Sequence, residues 1–419
     1  MKNCEITGLI TSTGVGAFFF DDQLAIRRGA RRDGFAILGD PQTPGYEAVR
    51  QPATAVSVML RLSDGYVAHG DCVAVQYSGV GGRDPVPDSA ELSSLLERDV
   101  AAAITGLPTQ SFRELSECLD ALDTLPGFGT AAAYGLSQAM LDAVAHTREA
   151  SMARTIQAEW SLEGGLRRIP VYAQCGEARR LNVDKMILRQ VDSLPHGLIN
   201  SPALVGPDGA LLVDYVAWVS DRVRALRRDP SYRPILHFDV YGLLGLVTKM
   251  RLERVVKLLL RMEKAADPFA LRVEHPLDAG SCAAQIEQMT RLRARLRDAG
   301  SSVQLVADEW ANTLSEIHEF NRTGAADMVQ IKTPDLGGLH HSVEAVLDCQ
   351  RHNVLAHVGG SCSETDRSAR VCAHLAMATH ADQVLAKPGM GVDEGLSIVT
   401  NEMARTLRLD AALMTQDRD

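Results

Sequence analysis

The sequence predicts an α/β fold: a (β/α)8 TIM-type barrel in residues 161–419, capped by an N-terminal α+β domain in residues 1–160. Three observations point there. After Gly164-Gly165, short β-rich runs recur, most of them followed by a helix-length amphipathic segment, and they number eight, the strand count of such a barrel. Acidic residues close three consecutive runs, Asp239, Glu274 and Asp308, with spacings of 35 and 34 residues, one βα unit each. The first 160 residues lack this rhythm altogether. The full 419 residues exceed one ordinary domain but accommodate a barrel of about 250 residues and a smaller companion.

In the cap, runs 55–62 and 66–77 read as strands joined by Ser63-Asp64-Gly65, a hairpin signal because glycine tolerates positive φ. The glycine-rich segment 78–85 follows. It has neither a Gly-Lys-Ser/Thr nor a Rossmann spacing, so it reads as a mobile loop over a site rather than a phosphate cradle. Helical periodicity then occupies 89–104, 111–122 and a long Ala-, Leu- and Met-rich stretch, 131–158. A hairpin followed by helices makes an α+β unit. The barrel runs are 169–174, 185–191, 235–240, 270–273, 303–307, 328–331, 354–358 and 383–386. A doubly wound open sheet would carry a glycine-rich turn after its first strand, and Gln174-Cys175-Gly176-Glu177 does not match one.

Composition narrows the class. With 46% hydrophobic and 23% charged residues the chain reads as a soluble folded protein rather than a disordered one. A net charge of −10 argues against nucleic acid as partner. No apolar run is long enough to span a membrane, and the first residues lack the apolar core of a secretion signal. Eight scattered cysteines without a Cys-x-x-Cys pair fit reduced thiols, so a cytoplasmic location is expected.

The acids carry the chemistry. Neighbouring strands lie about 4.8 Å apart, so carboxylates at equivalent strand ends can converge. Each alone would serve equally as a helix cap, but three converging anions repel and call for a cation; oxygen-only ligands favour Mg2+ over Zn2+. Lys332 ends the next run, after Met-Val-Gln-Ile. Burial and a neighbouring cation disfavour its ammonium form and make it a base. A base beside a metal-held carboxylate suits removal of a carbon-bound proton, with the metal neutralising the enolate charge. His196, in Leu194-Pro195-His196, stands to work from the opposite face, or to be a structural histidine. Gln174 and Gln330 offer amides either to a carboxylate or to loop closure. Gly359-Gly360-Ser361-Cys362 forms an anion nest or a plain turn. No histidine–acid pattern accompanies Cys362, which favours a binding role over a nucleophilic one.

The motifs extend nearly end to end. They include Phe20-Asp21-Asp22-Gln23, Ala68-His69-Gly70-Asp71-Cys72, Gly81-Gly82-Arg83-Asp84-Pro85, Pro170-Val171-Tyr172-Ala173-Gln174, Asp239-Val240-Tyr241-Gly242, Val306-Ala307-Asp308-Glu309-Trp310 and Ala386-Lys387-Pro388-Gly389. On these the chain resembles the methylaspartate ammonia-lyase family of the enolase superfamily. The resemblance implies that Asp239, Glu274 and Asp308 hold Mg2+, and that Lys332 takes the C3 proton of a (2S,3S) amino-diacid substrate. It implies that His196 serves the other face or steadies the transition state. Gln174, Gln330, Cys362 and Gln76 match substrate-binding positions, with Gln76 near the amino group. It further implies loss of ammonia from C2 to leave mesaconate, K+ as an activator in some members, and a homodimer. Three departures bear on the substrate: Ser361 for threonine, His357 for a tyrosine in the pocket wall, and His275 for glycine. The rival readings are a racemase or dehydratase using the same proton abstraction on another carboxylate, and a catalytically silent binding barrel.

Overall fold

The computed structural model describes residues 3–416. The cap opens with β1 (Ile6–Asp21), then β2 (Arg31–Asp33), β3 (Ala36–Leu38), β4 (Arg50–Leu62) and β5 (Val67–Cys72). The main cap sheet is antiparallel in the order β1-β4-β5, and β2 pairs only with β3. The expected hairpin is present: Leu62 N–H donates to Tyr66 O at 2.9 Å, and Gly65 takes φ +90°. The long partner β1 has no counterpart among the sequence expectations. Its middle, from Ser12 to Val15, is exposed and carries no apolar alternation, so pairing with β4 rather than a buried face holds it in register.

The expected helix over 131–158 is two helices, Gly129–Arg148 and Met152–Glu159. Glu149 takes the left-handed conformation at φ +55°, and Ser151 caps the second helix through the Arg154 N–H. The first of these helices is buried on nearly every side because it lies between the cap sheet and the barrel. Glycine allows that approach: a Cβ on Gly70 would stand 2.1 Å from Gly135 O.

The barrel strands are β6 (Val171–Ala173), β7 (Ser193–His196), β8 (Ile235–Asp239), β9 (Leu271–Glu274), β10 (Gln304–Ala307), β11 (Met328–Ile331), β12 (Leu355–Val358) and β13 (Gln383–Ala386). They are parallel and close in sequence order, β13 returning to β6. Seven of the eight fall in the expected runs. The second does not: residues 185–191 belong largely to the helix Arg179–Leu188, and the strand is Ser193–His196. Met186 and Ile187 are three and four residues beyond Val183, so they share its buried helix face. The strand itself escaped notice because it is short and contains Pro195, which breaks the usual strand signature. One continuous apolar core runs through the barrel, its surrounding helices and the cap. No helix among the described residues is long and apolar enough to cross a membrane.

Candidate active site

Parallel strands in a closed barrel deliver their last residues to one rim. Asp239 ends β8 and Glu274 ends β9, directly paired in register; Asp308 and Lys332 follow β10 and β11 by one residue. The chain turns sharply just past each acid, with Tyr241, His275 and Trp310 at φ +48°, +46° and +70°. Side chains rarely accept that region, which costs about 1–3 kcal/mol each and recurs at functional sites.

Oxygens of Asp239, Glu274 and Asp308 lie within 4.8 Å of one another, and all three residues are buried. Burial first, and then the charges of the neighbouring acids, push Asp239 and Glu274 well above the usual carboxylate range. Burial and Glu309 raise Asp308 to about 7. Asp308 Oδ2 has no hydrogen-bond partner. Glu274 Oε2 stands 2.9 Å from His237 Nε2 without hydrogen-bond alignment, and its other oxygen accepts Gln330 Nε2. An all-oxygen donor set under this much mutual repulsion fits a hard divalent cation such as Mg2+.

Lys332 Nζ donates to Asp308 Oδ1 and lies 3.9 Å from Glu309. Burial and Arg83 work against its ammonium, while Asp308, Glu309 and Asp335 favour it, and the acids prevail: its pKa lies above the ordinary lysine value. A cation on the same acids works in the opposite direction.

A narrow cavity between cap and barrel is lined by Gln76, Arg83, Gln174, His196, Asp239, Tyr241, Gln330, Lys332, Gly360, Ser361, Cys362 and Leu385, among others. A roomier cleft of 510 Å3 lies in the cap, but of the acids and bases just described it touches only Asp335. The cap closes the narrow cavity with its loop after β5. Gln76 N–H donates to Ser361 Oγ at 2.9 Å, and its side chain spans Asp21 and the Cys362 thiol. Burial raises the Cys362 pKa, keeping the thiol protonated as a donor to Gln76 Oε1. Gln174 Nε2 and Gln330 Oε1 have no partner and are available to a ligand.

His357, expected in the pocket wall, lies in the barrel interior and, like Glu274 and Asp308, is not among the residues that line the narrow cavity. Its Nδ1 bonds Gln383 Nε2 at 2.9 Å, and its ring meets Tyr172 edge-on in the barrel interior. There Gln383, His237 and Arg272 complete a buried polar layer beneath Glu274. His275 likewise turns away from the cavity, toward Glu309 at 3.3 Å.

Other residues escaped the sequence reading. Arg83 is buried at the barrel mouth, donating Nε to Asp335 at 2.7 Å, with Nη1 3.5 Å from Glu309 and Nη2 3.8 Å from Asp308. The loop that carries it is pinned by Asn312 donating to Gly81 O at 2.6 Å, rather than loose. Lys387 and Glu364 form a fully buried ion pair at 2.8 Å beneath the Gly359–Ser361 turn. Lys387 had a signal, a lone charge within Leu385-Ala386-Lys387-Pro388-Gly389.

Comparison with known proteins places the whole chain in one family. The family model for the methylaspartate ammonia-lyase N-terminus matches residues 4–161, and that for the C-terminus matches residues 165–412. Methylaspartate ammonia-lyase 1 of Carboxydothermus hydrogenoformans is 48% identical over 97% of this chain and 97% of its own. The Clostridium tetanomorphum enzyme is 44% identical over 97% and 98%. Among solved structures, the Citrobacter amalonaticus enzyme containing (2S,3S)-3-methylaspartic acid superimposes with a TM-score of 0.94, at 45% identity, over 97% of this chain and 99% of that one. A Mg complex of the Clostridium tetanomorphum β-methylaspartase gives a TM-score of 0.91, at 43% identity over 97% and 99%. Muconate lactonizing enzyme from Pseudomonas fluorescens shares the fold, with a TM-score of 0.61 at 16% identity, over 89% of this chain and 84% of that one.

Proposed function

The chain belongs to the methylaspartate ammonia-lyase family, and on that premise we infer that it is a carbon–nitrogen lyase, eliminating ammonia from 3-methylaspartate or a close 3-substituted aspartate to give mesaconate or its analogue. The observation that carries this reading is the meeting of Asp239, Glu274, Asp308 and Lys332 at one rim of the barrel, where Asp239 and Lys332 line the cavity.

Asp239, Glu274 and Asp308 would hold Mg2+, which when bound neutralises the negative charge developing on the substrate carboxylate. Lys332 removes the C3 proton of the (2S,3S) substrate and keeps it on Nζ. The C3–H electron pair becomes the C2–C3 double bond, and the C2–N pair leaves with ammonia. His196, on the opposite side of the cavity, steadies the developing charge through its Nε2–H. Gln174 donates its free Nε2 to a carboxylate oxygen, and Gln330, whose Nε2 is engaged by Glu274, presents Oε1 as an acceptor. Cys362 and Ser361 line the same wall, and Gln76 faces the amino group. Residues 1–160 cover the site and residues 161–419 carry its acids and base. A cytoplasmic homodimer is part of the same proposal; light scattering should give about twice the 45.3 kDa chain mass.

The test is a panel of aspartate derivatives assayed for ammonia and for absorbance of the conjugated diacid, with and without Mg2+. Mg2+-dependent release of both products from 3-methylaspartate is expected. A racemase would release neither, and that outcome would reject the reading.

A further inference from the structure

Near the end of the cap helix Phe112–Leu122 and the start of the barrel helix Leu339–Arg351, three metal-ligating side chains meet. Asp120 Oδ1 stands 2.9 Å from His340 Nε2 and 3.6 Å from His341 Nε2. The two imidazole centroids are 4.0 Å apart. Ligands held at 2.0–2.2 Å around a tetrahedral ion are separated by about 3.3 Å, a value the two measured spacings bracket.

The hydrogen bonding identifies the free electron pairs. His341 Nδ1 lies 3.2 Å from Leu336 O, and a carbonyl oxygen only accepts, so the ring proton is on Nδ1. In the neutral ring Nε2 then carries the lone pair, 3.6 Å from Asp120 Oδ1, where a cation could sit between them. An outer N–H bonded to a backbone carbonyl is also how ligating histidines are usually oriented. His340 is nine-tenths buried; its Nε2 donates to Asp120 Oδ1 at 2.9 Å, a proton that a bound ion would displace to Nδ1, which has no hydrogen-bond partner. A cavity of 400 Å3, lined by Asp120, His341, Asp123 and Thr313 among others, gives a fourth ligand access.

We propose that Asp120, His340 and His341 form a second metal site, for a Zn2+-class transition ion, clamping the cap to the barrel. Two imidazoles and one carboxylate select this class over Mg2+, which prefers oxygen ligands in an octahedral set. The helix that supplies both histidines begins seven residues after Lys332, so the clamp lies on the segment that carries the base. A superficially similar group, His318, Asp348 and His352, is a poorer site. There His352 Nδ1 already donates to Asp348 O at 2.9 Å, and Asp348 is occupied by Asn321 and Arg351.

The experiment titrates Zn2+ calorimetrically into the full chain under saturating Mg2+, and follows Tm alongside. One equivalent of Zn2+ should bind with micromolar or tighter affinity and raise Tm. Asp120→Ala and His341→Ala should each weaken binding about 10-fold or more and abolish the shift, while His352→Ala leaves both unchanged. Absence of Zn2+ binding, binding in both site variants equal to the parent's, or loss of binding in His352→Ala would each overturn the site.

Discussion

His196 Nδ1 accepts the backbone N–H of Leu198 at 3.2 Å, which leaves the ring proton on Nε2, 3.5 Å from Asp239. Burial, aided by Lys332 and Arg179, lowers its pKa to about 3, so the imidazole is neutral throughout the range in which a lyase is assayed. A neutral ring with its proton on Nε2 donates a hydrogen bond there; it does not accept a proton there. His196→Asn, which keeps an N–H donor, should therefore retain several-fold more activity than His196→Ala. Equal losses in the two variants would remove the donor role. The sequence put His196 just past a strand at 185–191, whereas it ends the strand Ser193–His196, and its tautomer, which depends on a backbone N–H two residues on, carries no sequence signal. His357 is expected in the pocket wall because the resemblance has a tyrosine at its position, and its bond to Gln383 holds it in the polar layer beneath Glu274.

Between elements, the structure relies on buried charge pairs that no periodicity announces. Lys387, just past β13, donates to Glu364 Oε1, Gly359 O and Thr333 Oγ1, at 2.8, 2.7 and 3.2 Å. Glu364 also accepts Ser361 N–H and Tyr134 O–H, joining the cap helix Gly129–Arg148 to the substrate-facing turn. Lys387→Met strands a buried carboxylate and should cost about 3–5 kcal/mol in chemical denaturation. The double variant with Glu364→Gln should recover part of that loss; no recovery would mean the two do not act as a pair. Farther out, Glu402 joins the last helix, Asp393–Gln416, to the helix Asp366–Thr379 through Arg370 and His374. Burial opposes its charge, but His374 and Arg405 bring its pKa down to about 2 from an ordinary 4.5. A carboxyl that is more acidic folded than unfolded stabilises the fold above the ordinary value and loses that contribution as pH falls toward 2. The stability gap between the parent and Glu402→Gln should thus be largest near pH 7 and narrow as pH drops from 4.5 to 3. A constant gap would contradict the linkage.

Across the whole molecule, the barrel was legible because its repeat is long and regular: eight units cannot hide one misplaced strand. The three acids and the lysine were legible for the same reason, since unit spacing converts directly into neighbouring positions on one rim. The cap was less so. β1 has no apolar alternation, and Arg83 reaches Asp335 across 252 residues, a separation no local pattern encodes. If the triad is a metal site, Mg2+ at about 100 times its Kd should stabilise the fold by about 2.7 kcal/mol and raise Tm. Asp308→Asn should diminish that rise, and an unchanged rise would place the ion elsewhere. The most direct test compares ammonia release from (2S,3S)-3-methylaspartate by the parent and by Lys332→Ala, both under saturating Mg2+. The account predicts a fall of at least ~10²-fold in the variant, with the Mg2+-induced rise in Tm still present. A variant that turns over near the parent rate would contradict it.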